Sequence, residues 1–151
     1  MRFSYRRYRV RHSESDPPTI VYRPVIPIDI HSNGVSIRRS ALIDTGADYT
    51  LLPTAVADYL GLPLDGRHSI VMSGIGDEAI SASLAEVEFE LGHGQQTRRW
   101  RTAVYVAQQN HLLLGNEGFL EFFIATFDWA NKTIDLVPNS RLPKTGRDLV
   151  N

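Results

Sequence analysis

Residues 41–53 read ALIDTGADYTLLP. The apolar run Ala41-Leu42-Ile43 leads directly into an ionisable Asp44. Thr45, Gly46, a small Ala47 and a second acid, Asp48, follow before the chain turns apolar again at Leu51-Leu52-Pro53. Taken alone, Asp-x-Gly is ordinary loop chemistry, in which Asp caps its own turn and Gly supplies a positive φ. What surrounds it decides whether the acid does more.

Outward from this stretch, short segments rich in Val, Ile, Tyr and Thr alternate with Gly, Asn and Pro, the pattern of an all-β domain. Ile26, Ile28 and Ile30 share one face of a strand, Asn33-Gly34 is a hairpin turn, and VSIRRSALI (35–43) returns to Asp44. After it, YTLLP reads as a short strand and PTAVADYLGL (53–62) as a helix opened by Pro53 and closed by Gly61. RHSIVMSGIGDEAISASLAEVEFEL (67–91) reads as two strands joined through Gly74-Ile75-Gly76. Glu86, Glu88 and Glu90 alternate with Val87, Phe89 and Leu91, so one face there is wet. A strand follows in QQTRRWRTAVYVA (95–107), a buried strand in HLLLG (111–115), a helix of about two turns in NEGFLEFF (116–123), and a final hairpin with its turn at ANKT (130–133). Phe119, Phe122, Phe123 and Phe127 with Trp129 are expected in the core. Residues 139–151 read as a loose tail.

A chain of 151 residues, 42% apolar and 22% charged, is expected to form one globular domain. The net charge of -1 provides no overall field for nucleic acid or an anionic membrane, so neither is an expected partner. Arg2, Arg6, Arg7, Arg9 and Arg11 nevertheless make the N-terminal segment locally basic; a solvated strand face is the ordinary reading, and an RNA-binding arm with Tyr5 and Tyr8 the other. Without cysteine there is no disulfide or thiolate chemistry. The charged start is unlike a signal peptide, and the expectation is a soluble, cytoplasmic protein. His12, His31, His68, His93 and His111 show no metal-ligand spacing, and no phosphate loop or nucleophile elbow occurs, so no metal or cofactor is expected.

Three blocks, ALIDTGADYTLLP, VMSGIGDEA (71–79) and LLLGNEGFLEFF (112–123), occur in the order of catalytic loop, flap, and apolar-apolar-Gly strand with its helix. In these, residues 23–138 resemble the retropepsins, the single-lobe aspartic proteases of retroviral type. The resemblance implies a closed, barrel-like all-β acid-protease lobe with one or two short helices, an N-terminal strand or extension at 1–22 and a tail at 139–151. It implies Asp44 as the catalytic acid, Thr45 and Gly46 as supports of its loop, and Ala47, Asp48, Ser73, Gly74, Ile75 and Gly76 as substrate-binding residues, with Ile75 at the flap tip. Peptide hydrolysis without a metal or covalent nucleophile needs one group to take a proton from water and another to give one to the carbonyl oxygen. Two carboxylates suffice. This chain has one D-T-G, and Asp58, Asp128 and Asp135 lie in other contexts, so the second acid is expected from another copy in a symmetric homodimer. The partners implied are a second copy and a peptide or protein substrate.

One position departs from the family. The Arg that usually follows the apolar-apolar-Gly run and pairs with the acid matched by Asp48 is Asn116 here. Asp48 is then expected to use an arginine of the N-terminal strand or to face solvent and contact substrate backbone. In the family, subunits commonly join through an interleaved sheet of terminal strands. Two other functions fit part of the pattern: a catalytically weak or silent dimerisation or peptide-docking module of the same fold, and an RNA-binding β domain that uses the arginine strand.

Overall fold

The computed structural model describes residues 1–73, 79–92 and 96–143. The hairpin before Asp44 forms as its alternation requires. Strand β4 (Val25–Ser32) pairs antiparallel with β5 (Val35–Ile43) from Val25↔Leu42 to Ser32↔Val35. Asn33 and Gly34, both in the left-handed backbone region at φ 49° and 78°, form a turn whose twist matches the right-handed twist of the strands it joins. Ile26, Ile28 and Ile30 point inward and are buried.

Past Asp44 the chain forms β6 (Leu51–Pro53) and a seven-residue helix α1 (Thr54–Leu60) that buries Val56, Ala57 and Leu60. Pro53 is its N-cap at φ -61°, and Gly61 ends it in the left-handed conformation. Then β7 (Asp65–Ser73) and β8 (Ala79–Leu91) pair antiparallel with a register shift between Asp65 and Ser69. β8 pairs along its length with β9 (Arg98–Ala107). β10 (Leu112–Leu114) lies parallel to β5 and antiparallel to β6, and β6 lies parallel to β9. Because β4 also pairs with β8, strands β4, β5, β10, β6, β9 and β8 form a closed ring of hydrogen-bonded strands, with β7 attached to β8. The fold is mostly β, as expected.

On β8, Val87, Phe89 and Leu91 are buried while Glu88 and Glu90 reach the wet face and meet Arg99 and Arg101 of β9. The core gathers around Trp100, 1% exposed, whose ring centroid lies 5.5–6.2 Å from those of Phe89, Phe119, Phe122 and Phe123. This corrects the expected aromatic core. Phe127, near the end of its strand, and Trp129, in the following turn, are exposed, and Trp100 fills the central place.

The expected two-turn helix at 116–123 is also absent. Leu120 N and Glu121 N reach back five residues to Gly115 O and Asn116 O, only Leu120–Phe122 form a 3-10 turn, and Phe123 is already extended at φ -133°, ψ 148°. Phe119, Phe122 and Phe123 have helical spacing, yet a tight turn running straight into a strand buries all three equally well.

That strand, β11 (Phe123–Asp128), pairs with β12 (Thr133–Pro138), and β12 pairs on its other side with β1 (Arg2–Ser4). Met1 N donates to Leu136 O at 2.8 Å, and Arg2 Nη2 pairs with Asp135 Oδ2 at 2.7 Å. Over Thr133–Leu136 both edges of β12 are therefore taken by its own chain. A separate hairpin, β2 (Arg6–Val10) with β3 (Thr19–Arg23), completes the N-terminal part. Of the expected tail, Asn139 is fastened to the 3-10 turn by its own N–H to Phe122 O and its amide to Glu121 O, both at 2.9 Å, and Leu142 packs on the core. Among the described residues no helix is long and apolar enough to cross a membrane.

Candidate active site

The loop at Asp44 starts where β5 leaves the ring. Asp44 N donates to Leu114 O at 3.1 Å, so the first residue beyond the strand is still tied to β10. The loop then closes on the acid itself: Gly46 N donates to Asp44 Oδ1 at 2.9 Å and Ala47 N to Asp44 O at 3.2 Å. Asp44 thus caps its own turn, but Gly46 does not adopt a positive φ. A Cβ there would stand 3.3 Å from Asp44 Oδ1, so any larger residue would press on the carboxylate by a few tenths of an ångström. Half-buried Asp44 keeps Oδ2 without a partner among the described residues.

The loop is pinned from below by the end of β10. Asn116 N donates to Ala47 O at 2.9 Å, Glu117 N to Asp48 O at 2.8 Å, and Thr50 N back to Glu117 O at 2.9 Å. Gly115 sits so close that a Cβ would lie 2.3 Å from Tyr49 O and 2.8 Å from Ala47 O. Fully buried Thr50 accepts Gly115 N on its Oγ1 at 3.2 Å, and its own carbonyl accepts Tyr105 N at 3.0 Å. Asn116, the departure from the family pattern, places its side-chain amide 3.4 Å from Thr45 O and so fastens loop to strand without an ion pair. Asp48 is exposed and has no ionic partner among the described residues; of the two expectations for it, the solvent-facing one is met.

Asp44, Gly46, Ala47 and Asp48 open onto a cleft of about 710 Å³. Its lining continues through Ile70, Val71, Met72 and Ser73 of β7, Ile80 of β8, and Leu51, Gln109 and Leu113. Tyr49 also lines it, held edge-on against Tyr105 with ring centroids 4.9 Å apart. The cleft therefore brings together Asp44, Gly46, Ala47, Asp48 and Ser73 of the expected residues. Thr45 is exposed beside it on the same loop. Gly74, Ile75 and Gly76, expected at the flap tip, lie outside the described residues.

Three residues were not singled out by sequence reasoning. Thr50 looked like one more strand residue; its signal would have been a polar side chain within a run otherwise buried. Tyr49 and Gln109 gave none, and the Gln109 amide nitrogen is buried in the cleft lining without a hydrogen-bond partner among the described residues. Other acids are engaged elsewhere: Asp29 pairs with Arg38, Asp135 with Arg2, and Asp128 accepts from Asn131. Among the described residues no cluster of three His, Asp or Glu side chains could hold a metal ion.

The cleft can hold an extended chain against a floor bearing a fixed carboxylate and walls that are mainly apolar. Among curated proteins no sequence matches this chain. Among solved structures, the chain is similar to the EIAV protease complexed with the inhibitor HBY-793, at 22% identity over 71% of this chain and 88% of that one, TM-score 0.46. It is also similar to the retroviral protease-like domain of Ddi1 from Leishmania major, at 14% identity over 79% of this chain and 98% of that one, TM-score 0.45. Residues 26–117 match the family model described as aspartyl protease. That span covers more than half of the chain and runs from the strand before the Asp44 loop to the residues that pin it from below, so this chain belongs to the aspartyl protease family.

Proposed function

We propose that the chain is an aspartic endopeptidase that works as a homodimer, with Asp44 of each copy meeting at the two-fold axis. The observation that carries this reading is the state of Asp44: one carboxylate oxygen is fixed by Gly46 N at 2.9 Å, the other has no partner among the described residues, and the residue lies in the floor of the cleft. Two such carboxylates about 3 Å apart cannot both ionise and share one proton. The ionised one takes a proton from water as its oxygen attacks the peptide carbonyl carbon, and the protonated one donates to the carbonyl oxygen. Collapse of the tetrahedral intermediate breaks the C–N bond as a proton passes to the leaving nitrogen. The pair returns to its starting state with one proton.

In this reading residues 23–138 are the catalytic domain, 1–22 an N-terminal extension and 139–151 a tail. Thr45 and Gly46 brace the loop, and the exposed Thr45 hydroxyl bonds to the partner's loop. Ala47, Asp48, Ser73, Gly74, Ile75 and Gly76 contact a peptide bound as a β-strand, whose alternate side chains enter apolar pockets. The copies meet at the loops around Thr45, with β12 already flanked by β1 and β11 of its own chain. No metal or cofactor takes part.

The test is cleavage of a peptide library by purified protein from acidic to neutral pH. The wild type is expected to cut and Asp44→Asn to be inactive while sedimenting as the wild type does. A wild type that binds peptides and cuts none would replace this reading with that of a silent peptide-docking module.

A further inference from the structure

The arginines of this chain differ in their surroundings. Arg2, Arg38, Arg99, Arg101 and Arg141 each lie within 4.0 Å of a carboxylate. On the β2–β3 hairpin, Arg6, Arg7, Arg9 and Arg23 are exposed and pair with no carboxylate among the described residues. Arg11, Arg39 and Arg98 also pair with no carboxylate among the described residues. Arg6 and Arg23 stand directly opposite each other, a like-charge pairing that disfavours the hairpin.

The register also fixes what these cations accompany. Arg7 lies opposite Tyr22 and Arg9 opposite Ile20, so the four share one face. Lys132 of the β11–β12 turn extends that face, with Nζ 5.5 Å from the Tyr22 ring centroid and 3.6 Å from that of Trp129. Trp129, although Tyr5 meets it at 6.1 Å, remains 62% exposed. The nearby acid Asp128 is occupied by Asn131, whose N–H and side-chain amide donate to it at 2.9 and 2.7 Å. Glu14 and Asp16 lie in the turn at the far end of the hairpin. None of the cations or rings on this face lines the Asp44 cleft.

We propose that this face binds single-stranded nucleic acid, with Arg7, Arg9 and Lys132 holding phosphates and Trp129 and Tyr22 stacking unpaired bases. An acidic peptide would satisfy the cations and leave the rings unused; bases use both, since every base offers a π-face to an aromatic ring beside a cationic track. The net charge of -1 does not oppose this, because the attraction is local at physiological salt, where screening confines it to about 8 Å. The proposal is independent of hydrolysis at Asp44 and stands or falls separately from it.

The experiment is a fluorescence-anisotropy titration of the full chain with a labelled oligothymidylate over a series of salt concentrations. Binding is expected to weaken with salt at a log–log slope of roughly -2 for three phosphate contacts. Arg7→Ala/Arg9→Ala should make that slope shallower, and Trp129→Ala should weaken binding about tenfold or more while Trp129→Phe restores part of it. All variants should keep the wild-type far-UV circular dichroism, because the substituted side chains are exposed. No binding at low salt would overturn the proposal. So would displacement of the oligonucleotide by polyglutamate at matched charge, which would assign the face to acidic peptides, or a Trp129→Ala variant that binds as the wild type does.

Discussion

Gly115→Ala tests most sharply how the Asp44 loop is held. The new Cβ would stand 2.3 Å from Tyr49 O, 2.5 Å from Tyr49 C and 2.8 Å from Ala47 O, all backbone atoms. An ordinary carbon–oxygen contact begins at about 3.3 Å, so loop and strand end must separate by about 1 Å. That movement loads the hydrogen bonds Asn116 N to Ala47 O, Glu117 N to Asp48 O and Gly115 N to Thr50 Oγ1. At about 1 kcal/mol net for each bond, the loss is about 3 kcal/mol. For a domain of this size that lowers Tm by roughly 6–12 °C. A displacement of about 1 Å at the loop that carries Asp44 should also cost about 100-fold in cleavage rate. Calorimetry and a fluorogenic peptide assay read the two effects, with Gly66→Ala, where nothing lies within 4 Å of the added carbon, as the control. A Gly115→Ala protein that melts and cleaves like Gly66→Ala would refute the idea that close packing beneath the loop positions the acid.

The remaining expectations concern the frame around that loop. Trp100→Ala should cost about 3–5 kcal/mol in urea unfolding, because the ring fills the space between Phe89, Phe119, Phe122 and Phe123. Trp100→Phe should cost markedly less, since the buried Trp100 Nε1 has no hydrogen-bond partner among the described residues to lose. The hydrogen bond and charge of Arg2 hold the Asp135 carboxyl below the usual carboxylate range. A pKa lowered by folding contributes stability above the unfolded value, about 3.9, and loses it as pH falls through the folded one. Hydrogen exchange of the β1 amides, corrected for intrinsic rates, should therefore quicken only below about pH 4. In Asp135→Asn it should be fast at every pH. Exchange equally slow in that variant would show that the clip does not hold β1.

Much of this was legible in the sequence because local patterns and tertiary structure agree. Asn33-Gly34 between alternating isoleucines admits one turn, and Pro53 with Gly61 brackets one helix. The aspartates outside the loop lie where their context placed them, Asp58 in α1, Asp128 at the end of β11 and Asp135 in β12. Misreadings arose where one pattern serves two structures. The spacing of Phe119, Phe122 and Phe123 is helical, but burial of the same rings is met by a 3-10 turn followed by a strand. Trp129 and Trp100 are equally apolar as letters, and only the register of β9 puts Trp100 at the centre. Gly46 fits a turn glycine by type, yet it does not adopt the positive φ that such a glycine suggests. The pairing of β12 with β1 joins residues 129–133 positions apart, beyond any local signal.

The central claim is a carboxylate pair completed by a second copy. It is tested most directly by mixing wild-type and Asp44→Asn protein at constant total concentration and measuring peptide cleavage against the wild-type fraction. An acid pair shared between two copies predicts a rate that follows the square of that fraction, since any pairing with Asp44→Asn is inactive. A rate that falls in simple proportion would mean that each chain cuts alone, and would contradict the account.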